Sequence, residues 1–323
     1  MTSEALAQLA GALRRLGAYD IDLQGLLPAW ELHRLRLKEV PPWLASQAWV
    51  RLLCVGEALP RAEPTLGVEV DALIDVGLLE EVLPGHVVSG LQLYPFRGLA
   101  ILTDWPSVTL GPPGNEPVMA IGTDSLELCL ALAPPEPPGF PEAHLAGLRV
   151  LDLCTGSGIA ALHALRCGAQ EVVAVDISPR AAEIAKVNGF INGLDSKLTI
   201  HQGDLFEGIG EVHGVFDLMV ANPPFVAVPA SASASLYVDG GSDGLAVTRR
   251  LVAGACERLE KASRGTLVMI GEFPNLAAEE PRCLSFLASK SAWLAARGLL
   301  CRGASPKCCS LCSRACQATC SRA

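Results

Sequence analysis

The second half of the sequence alternates between short apolar segments and longer segments with helical spacing. The apolar segments have the length of strands and largely lack polar alternation, and helical segments of about 10–15 residues separate them. They read LRVLDLC, VVAVDI, KLTIHQGD, FDLMVA and TLVMIGEF. This alternation is typical of a parallel sheet that is covered by helices on both faces. We therefore predict an α/β fold with a doubly wound, mostly parallel sheet.

The first 106 residues follow another pattern, in which short helices precede two strands. The segments VVSGLQLYPF and LAILTDW alternate on either side of Arg97 and Gly98, as the strands of a hairpin do. Helices followed by a hairpin predict a smaller N-terminal helical, winged-helix-like domain over residues 1–106, which docks or orients the substrate. The α/β domain then covers residues 107–278, and residues 279–323 form a Cys-rich tail that we expect to be poorly ordered.

The charge of the chain restricts its partners. Lys and Arg number 25 and Asp and Glu 34, which leaves a net charge of −9 over 323 residues. This balance argues against binding to bulk DNA through a basic surface. No segment approaches the ~18 consecutive apolar residues that a membrane span needs, and the N-terminus lacks the features of a secretory signal. The expected location is cytoplasmic, with no membrane partner.

The cysteines do not indicate a disulfide framework. Seven of the twelve lie in the last 41 residues and five are scattered through the rest, a distribution that suits reduced thiols. The spacing from Cys309 to Cys320 lacks the glycine or aromatic residues that support a zinc site, so we predict no metal ligands.

The glycine-rich turn after the segment LRVLDLC indicates a nucleotide-type site. Gly156 and Gly158 can adopt positive φ and let a ligand approach the backbone closely. Asp176 ends the next strand, 18 residues after Gly158, close to the ~20-residue spacing of the acid that binds ribose in dinucleotide enzymes. Asp152 lies just before the turn, where a carboxylate repels pyrophosphate but suits a cationic group. Asp204, after the third strand, is a candidate acceptor for an adenine amino group.

The segment VANPPF follows the fourth strand and indicates the reaction. Two consecutive prolines end the strand and fix the backbone, which holds Asn222 at the edge of the sheet. The Asn222 side chain and the Pro223 carbonyl can each accept a hydrogen bond from one of the two N–H groups of a planar amino group. Phe225 can stack on the plane of that group. No Ser, Cys or His nucleophile is then required.

In their order and spacing, these segments resemble class I S-adenosylmethionine-dependent methyltransferases that carry an Asn-Pro-Pro-aromatic motif. The resemblance covers about residues 117–275 and implies a Rossmann-like fold with S-adenosyl-L-methionine (SAM) as the cofactor. The catalytic motif that it implies is Asn222, Pro223, Pro224 and Phe225. The cofactor contacts that it implies are Thr123, Asp124, Asp152, Thr155, Gly156, Gly158, Asp176, Ile177, Asp204, Leu205 and Asn222.

The resemblance leaves the methyl acceptor open. The family includes enzymes that methylate glutamine in translation release factors, guanine in ribosomal RNA, and adenine. The acidic charge favours a protein glutamine or a small molecule, whereas Phe225 in place of tyrosine is closer to the RNA guanine enzymes. The expected partner is thus a translation factor, a ribosomal protein or an RNA. Two further hypotheses remain: an NAD(P)-dependent oxidoreductase and a catalytically inactive SAM-binding module.

Two further segments bear on this resemblance, one in agreement with it and one not. The segment YVDGGSDGL after the motif resembles a glycine-rich loop of the glutamine methyltransferases, and we predict that it closes over the substrate. After TLVMIGEF, by contrast, the sequence shows no clear pair of antiparallel strands of the kind that usually completes such a sheet.

Overall fold

A computed structural model of the chain describes residues 2–21, 42–63, 69–105, 117–132, 145–207, 209, 216–232, 234–259, 265–272 and 300–302. The chain forms two compact units. The first comprises Met1–Leu126, Gly156–Leu162 and Ser178–Leu198, and the second comprises Glu127–Thr155, His163–Ile177 and Thr199–Ala323. The predicted domain boundaries at residues 106 and 278 stay predictions. Among the described residues, no helix is long and apolar enough to span a membrane.

The helices are α1 (Ser3–Arg15), α2 (Pro42–Ala45), α3 (Glu69–Asp75), α4 (Thr123–Leu132), α5 (Ile159–Arg166), α6 (Pro179–Ile191) and α7 (Ala246–Leu259), with a π-helical turn at Val50–Val55 and a 3₁₀ turn at Asp195–Lys197. The strands are β1 (Leu59–Pro60), β2 (Leu79–Leu83), β3 (His86–Ser89), β4 (Gln92–Phe96), β5 (Leu99–Thr103), β6 (Arg149–Leu153), β7 (Glu171–Asp176), β8 (Leu198–Gln202), β9 (Leu218–Ala221), β10 (Thr266–Glu272) and β11 (Leu300–Arg302).

The first unit combines helices with two small antiparallel sheets. Strands β1, β3 and β2 form one sheet in that order, and β4 and β5 form a separate hairpin. The predicted turn between β4 and β5 is present, with φ of 46° at Arg97 and 75° at Gly98, which suits the tight turn of a hairpin. The prediction of one strand over VVSGLQLYPF is wrong, because the chain leaves the first sheet after Ser89 and starts β4 at Gln92. The winged-helix-like assignment stays a prediction.

Helix α6 contacts both α1 and β5 in the first unit. It begins after Ser178, whose hydroxyl accepts a hydrogen bond from the Ala181 N–H, and Pro179 occupies its first turn. Both features favour the start of a helix. The Tyr19 hydroxyl donates to the Ile191 carbonyl at the other end, 2.6 Å away. Helix α1 packs against α6.

The second unit contains the parallel sheet. Its strand order is β11-β10-β9-β6-β7-β8, and the pairs β6–β7, β6–β9, β9–β10 and β10–β11 are parallel. The chain runs from β6 outward to β7 and β8, and then crosses to β9 on the other side of β6. The change of direction is therefore next to β6. This architecture confirms the predicted α/β fold with a Rossmann-like, mostly parallel sheet.

Apolar side chains of the sheet and of α7 form the main core of this unit. Leu151, Val173, Met219, Leu251 and Met269 are all buried in it. Because both faces of a parallel sheet are covered, its strands carry apolar residues without alternation, which is why the sequence predicts them well. Strand β11 was not predicted, and the cysteines from Cys308 to Cys320 lie outside the described residues.

Candidate active site

The carboxyl ends of β6 and β9 lie where the strand order reverses. In open α/β sheets this position forms the crevice in which ligands bind. Leu153, the last residue of β6, pairs with Val175 of β7 on one side and with Ala221 of β9 on the other. The next residues in the chain are Cys154, Asp176 and Asn222, respectively.

These next residues follow a common row across three strands. Neighbouring strands lie about 4.8 Å apart, so the backbones of Asp176 and Asn222 leave the sheet roughly 10 Å apart, with Cys154 between them. Asp176 and Asn222, which the sequence indicates as site residues, therefore lie at one edge of the sheet. Asp176 and Asn222 are both half-buried, a position from which a side chain can meet a ligand.

Asp152 is the last but one residue of β6, two positions before Cys154. It is 1% exposed, and its Oδ2 accepts a hydrogen bond of 2.5 Å from the Thr155 hydroxyl. The Thr155 N–H donates to the Val175 carbonyl at 3.1 Å. Thr155 thus fastens the end of β6 to β7 and also fixes the Asp152 carboxylate.

The pKa of the Cys154 thiol depends on the charged groups at this edge. The Cys154 backbone has φ of 59°, an uncommon conformation for a residue with a side chain. Burial raises the pKa of the Cys154 thiol, and the carboxylates of Asp176, Asp152 and Asp204 raise it further, in that order. A thiolate would be repelled by three negative charges. Arg250 acts in the opposite direction and lowers the pKa, but the raised pKa favours the neutral form of the Cys154 thiol.

Asp204 lies on the loop after β8 and forms an ion pair. Its Oδ2 accepts a hydrogen bond of 2.8 Å from the Arg250 guanidinium of α7. The hydrogen bond to Asp204 raises the pKa of Arg250. The loop itself is fixed by the Gly203 N–H, which donates to the Asp176 carbonyl at 2.9 Å, and Leu205 continues it with φ of 50°. Ile177, next to Asp176, is 47% exposed.

The Asn-Pro-Pro-Phe segment is fixed at both ends. On one side it continues directly from β9, and Pro223 is buried whereas Pro224 and Phe225 are half-buried. On the other side the Val226 N–H donates to the Val238 carbonyl at 3.2 Å, and the Gly240 N–H donates back to the Val226 carbonyl at 2.9 Å. The backbone of Asn222 is therefore held by neighbours before and after it.

The glycine-rich loop that follows packs against this segment. Gly244 has φ of 74°, and a Cβ there would lie 2.4 Å from the Phe225 carbonyl oxygen. Only glycine fits such a contact. Asp243 accepts from the Leu245 N–H at 3.0 Å, and Arg249 binds its carboxylate and holds the pKa of Asp243 below its usual value. In this structure the loop predicted to close over the substrate is paired with the residues after Phe225.

Four predicted cofactor residues belong to the first unit. Gly156 and Gly158 have φ of 56° and 83°, as expected for a glycine turn. A Cβ on Gly156 would meet no atom within 4 Å, so its surroundings leave room for a ligand. Thr123 and Asp124 begin α4 and are half-buried. The roles of these residues toward a cofactor stay predictions.

The sequence did not point to Arg250 or to Cys154. Arg250 lies on the exposed face of a helix, where a charged residue carries no signal of its own. The sequence indicates only that no Cys nucleophile is required, and the structure adds that burial and nearby carboxylates raise the pKa of the Cys154 thiol. Among the described residues, no group of His, Cys, Asp and Glu is arranged to hold a metal ion.

Residues 125–227 match the protein family described as ribosomal protein L11 methyltransferase (PrmA). A ribosomal protein uL3 glutamine methyltransferase of Bradyrhizobium diazoefficiens is 42% identical over 144 residues, which cover 40% of this chain and 44% of that protein. A release factor glutamine methyltransferase of Deinococcus radiodurans is 39% identical over 120 residues, which cover 34% of this chain and 41% of the relative. The chain thus spans less than half the length of these relatives.

One of the solved structures that match this chain is ribosomal protein L11 methylase from Lactobacillus delbrueckii subsp. bulgaricus. It has a TM-score of 0.34 and 23% identity, and the match covers 49% of this chain and 63% of that chain.

Proposed function

We propose that this chain, whose residues 125–227 match a methyltransferase family, is an S-adenosylmethionine-dependent N-methyltransferase that acts on a glutamine side chain of a protein. The observation that carries the proposal is the row at the switch point of the sheet. It places Asp176 and Asn222 on either side of Cys154, at the ends of three adjacent parallel strands. In this proposal Asp176 would bind the ribose and Asn222 would bind the substrate nitrogen, at the ends of neighbouring strands of one crevice.

The chemistry of the donor set fits the cofactor. SAM carries a positively charged sulfonium and an ammonium group, and the carboxylates of Asp152, Asp176 and Asp204 all raise the pKa of the Cys154 thiol at this edge. Such a site favours a cation and repels a pyrophosphate, which supports SAM over a nicotinamide dinucleotide. Asp176 would accept from the ribose hydroxyls, and Asp204 from the adenine amino group. Gly156 and Gly158 would present backbone N–H groups.

When bound, SAM supplies an electrophilic methyl group with a good leaving group, so positioning can account for most of the acceleration. Asn222 and the Pro223 carbonyl each accept a hydrogen bond from one of the two N–H groups of the glutamine amide. The lone pair of an amide nitrogen is delocalised. When both N–H groups donate hydrogen bonds to the protein, the form in which the lone pair is available is favoured. Phe225 stacks on the amide plane.

The acceptor class follows from the relatives and the charge. The two relatives named above are described as glutamine methyltransferases of ribosomal protein uL3 and of a release factor, and the net charge of −9 is unfavourable for RNA. We therefore favour a protein of the translation apparatus over a nucleobase, in spite of the phenylalanine at position 225.

A transfer assay tests the acceptor class. The purified full chain is incubated with methyl-labelled SAM and, separately, with bacterial uL3, a release factor, and deproteinised ribosomal RNA. We expect label in one of the two proteins, lost on protease digestion and kept after nuclease treatment. Label in RNA alone would contradict the proposed acceptor. No label in any fraction, from protein that binds the cofactor, would support the inactive-module hypothesis.

A further inference from the structure

A buried asparagine of helix α6 connects two parts of the first unit. Asn188 is 0% exposed, and its side-chain amide uses both N–H donors and its oxygen. Oδ1 accepts from the Leu102 N–H at 2.9 Å, and Nδ2 donates to the Leu102 carbonyl and to the Ser157 carbonyl, each at 2.8 Å. One side chain therefore bonds strand β5 and the glycine turn at the same time.

The Asn188 amide binds β5 as a neighbouring strand would, because it pairs with both the N–H and the C=O of one residue. Asn192, one helical turn later, accepts from the Ala100 N–H at 2.9 Å and donates to the Ala100 carbonyl at 2.8 Å. Four residues along a helix advance about 6 Å, and two residues along a strand advance about 6.6 Å. The two amides thus match alternate residues of β5, whose other edge pairs with β4.

The two asparagines differ in one bond. The second N–H of Asn192 donates to the Asn188 carbonyl of its own helix at 2.8 Å, whereas that of Asn188 reaches Ser157 in the turn. In a trans peptide the C=O and the next N–H point in opposite directions. When Asn188 holds the Ser157 carbonyl toward α6, the Gly158 N–H is directed away from the helix.

A second contact fixes the same part of the turn. Gly158 packs on α6 so closely that a Cβ would lie 3.1 Å from the Ala185 Cβ. Ala185 and Asn188 are three residues apart and share a face of the helix. The turn thus has one side packed against α6, at Ser157 and Gly158, and an open side at Gly156.

We infer that Asn188 is a positioning residue for cofactor binding, which sets the orientation of the Ser157–Gly158 peptide and ties it to strand β5. This inference rests on the proposed function, since the turn is the predicted cofactor cradle. It has a consequence for the N-terminal hairpin. Strand β5 is connected to the cofactor cradle through Asn188, since the second N–H of Asn192 bonds within its own helix and that of Asn188 reaches the turn.

The test compares Asn188→Ala with the matched control Asn192→Ala. Both variants lose the paired bonds to β5, and only the first loses the bond to Ser157. In the ligand-free full chain, hydrogen exchange with mass-spectrometric readout follows the peptide that contains Gly156–Gly158. Isothermal titration with S-adenosylhomocysteine measures affinity on the same samples. Asn188→Ser is a second variant, because a hydroxyl has a single donor and cannot serve both carbonyls.

We expect both Asn188 variants to exchange faster in the turn and to bind S-adenosylhomocysteine at least about tenfold more weakly, the factor that corresponds to one ordinary hydrogen bond. Asn192→Ala stays within about twofold of the wild type. The inference is overturned if the folded Asn188 variants match Asn192→Ala in both measurements. If the wild type fails to bind S-adenosylhomocysteine, the proposed function fails, and the exchange comparison still decides whether Asn188 orients the turn.

Discussion

Asn222 follows β9 directly on one side, and on the other side it is followed by two prolines and by the pairing of Val226 with Val238. Asn222→Ala removes an acceptor for the substrate nitrogen and leaves the acids at the ends of β6 and β7 in place. We expect kcat to fall at least ~100-fold, the size of a lost transition-state hydrogen bond, while the affinity for S-adenosylhomocysteine changes by no more than a few-fold.

Calorimetry and single-turnover kinetics check this split. Asp176→Ala is the matched control, because it should weaken cofactor binding first. An Asn222→Ala protein that loses cofactor binding and keeps a normal single-turnover rate would show that the assignment of Asn222 is wrong.

The thiol of Cys154 reports the charge of the candidate site. Burial and the three carboxylates raise its pKa, whereas Arg250 lowers it. Asp176→Asn removes a negative charge and should lower the pKa, so that Cys154 is alkylated faster by iodoacetamide at pH ~8, near the ordinary thiol pKa. Arg250→Gln should slow the reaction.

The rates are read on the separate peptide that contains Cys154. The buried Cys167, which follows α5 directly, is the internal control and should not respond to either substitution. Equal rates at Cys154 in all three proteins would mean that the carboxylates do not act on this edge.

At the scale of elements, the pairing of β5 with α6 extends beyond the two asparagines. The buried carboxylate of Asp104 accepts a hydrogen bond of 2.7 Å from the Val118 N–H and binds the Arg180 guanidinium through both oxygens. Asp104→Ala leaves a buried N–H without its acceptor. We expect the free energy of unfolding to fall by about 1–3 kcal/mol, measured by urea titration.

Asp104→Asn separates the two contributions. An asparagine keeps an acceptor for Val118 and loses the ionic bond to Arg180, which is partly exposed and contributes less. The asparagine variant should therefore be the more stable of the two. If the asparagine variant is as unstable as the alanine variant, the ion pair, and not the bond to Val118, holds this end of β5.

How far the sequence predicted these elements depends on what each one buries. Strands β6, β7, β9 and β10 are apolar because both of their faces are covered, and that pattern is visible in one sequence. The π-helical turn and the break between β3 and β4 depend on packing, which a sequence pattern does not record. The same holds for Asn188, because an amide on a helix looks like an ordinary polar surface position until the strand beside it is known.

The site was predicted to a similar extent. The residues that end strands, Asp176 and Asn222, were found because turns and prolines mark strand ends. Arg250 was not found, since its partner Asp204 lies 46 positions earlier in the chain. Contacts over such separations leave no periodic signal.

For the whole molecule, ligand binding gives a direct comparison of the two cofactor hypotheses. A ligand that binds only the folded state stabilises it by about 2.7 kcal/mol at a concentration of one hundred times its dissociation constant. We expect S-adenosylhomocysteine to raise the melting temperature of the full chain and NADH or NADPH to leave it unchanged. Asp176→Ala should reduce the shift.

A shift with the dinucleotide alone would favour the oxidoreductase hypothesis. A shift with S-adenosylhomocysteine, in a protein that transfers no methyl group to any acceptor, would favour the inactive SAM-binding module instead. The melting curves thus separate the two cofactor hypotheses, and the transfer assay separates an active enzyme from an inactive SAM-binding module.

We propose that an amide nitrogen is presented to SAM at the end of β9. Tandem mass spectrometry of the methylated acceptor protein tests this proposal, because fragment ions locate the added methyl group on one residue. We expect a single methyl group on the side-chain nitrogen of a glutamine, and we expect it to be absent when Asn222→Ala replaces the wild type. A methyl group on lysine, arginine or a nucleobase, or unchanged glutamine methylation by Asn222→Ala, would contradict it.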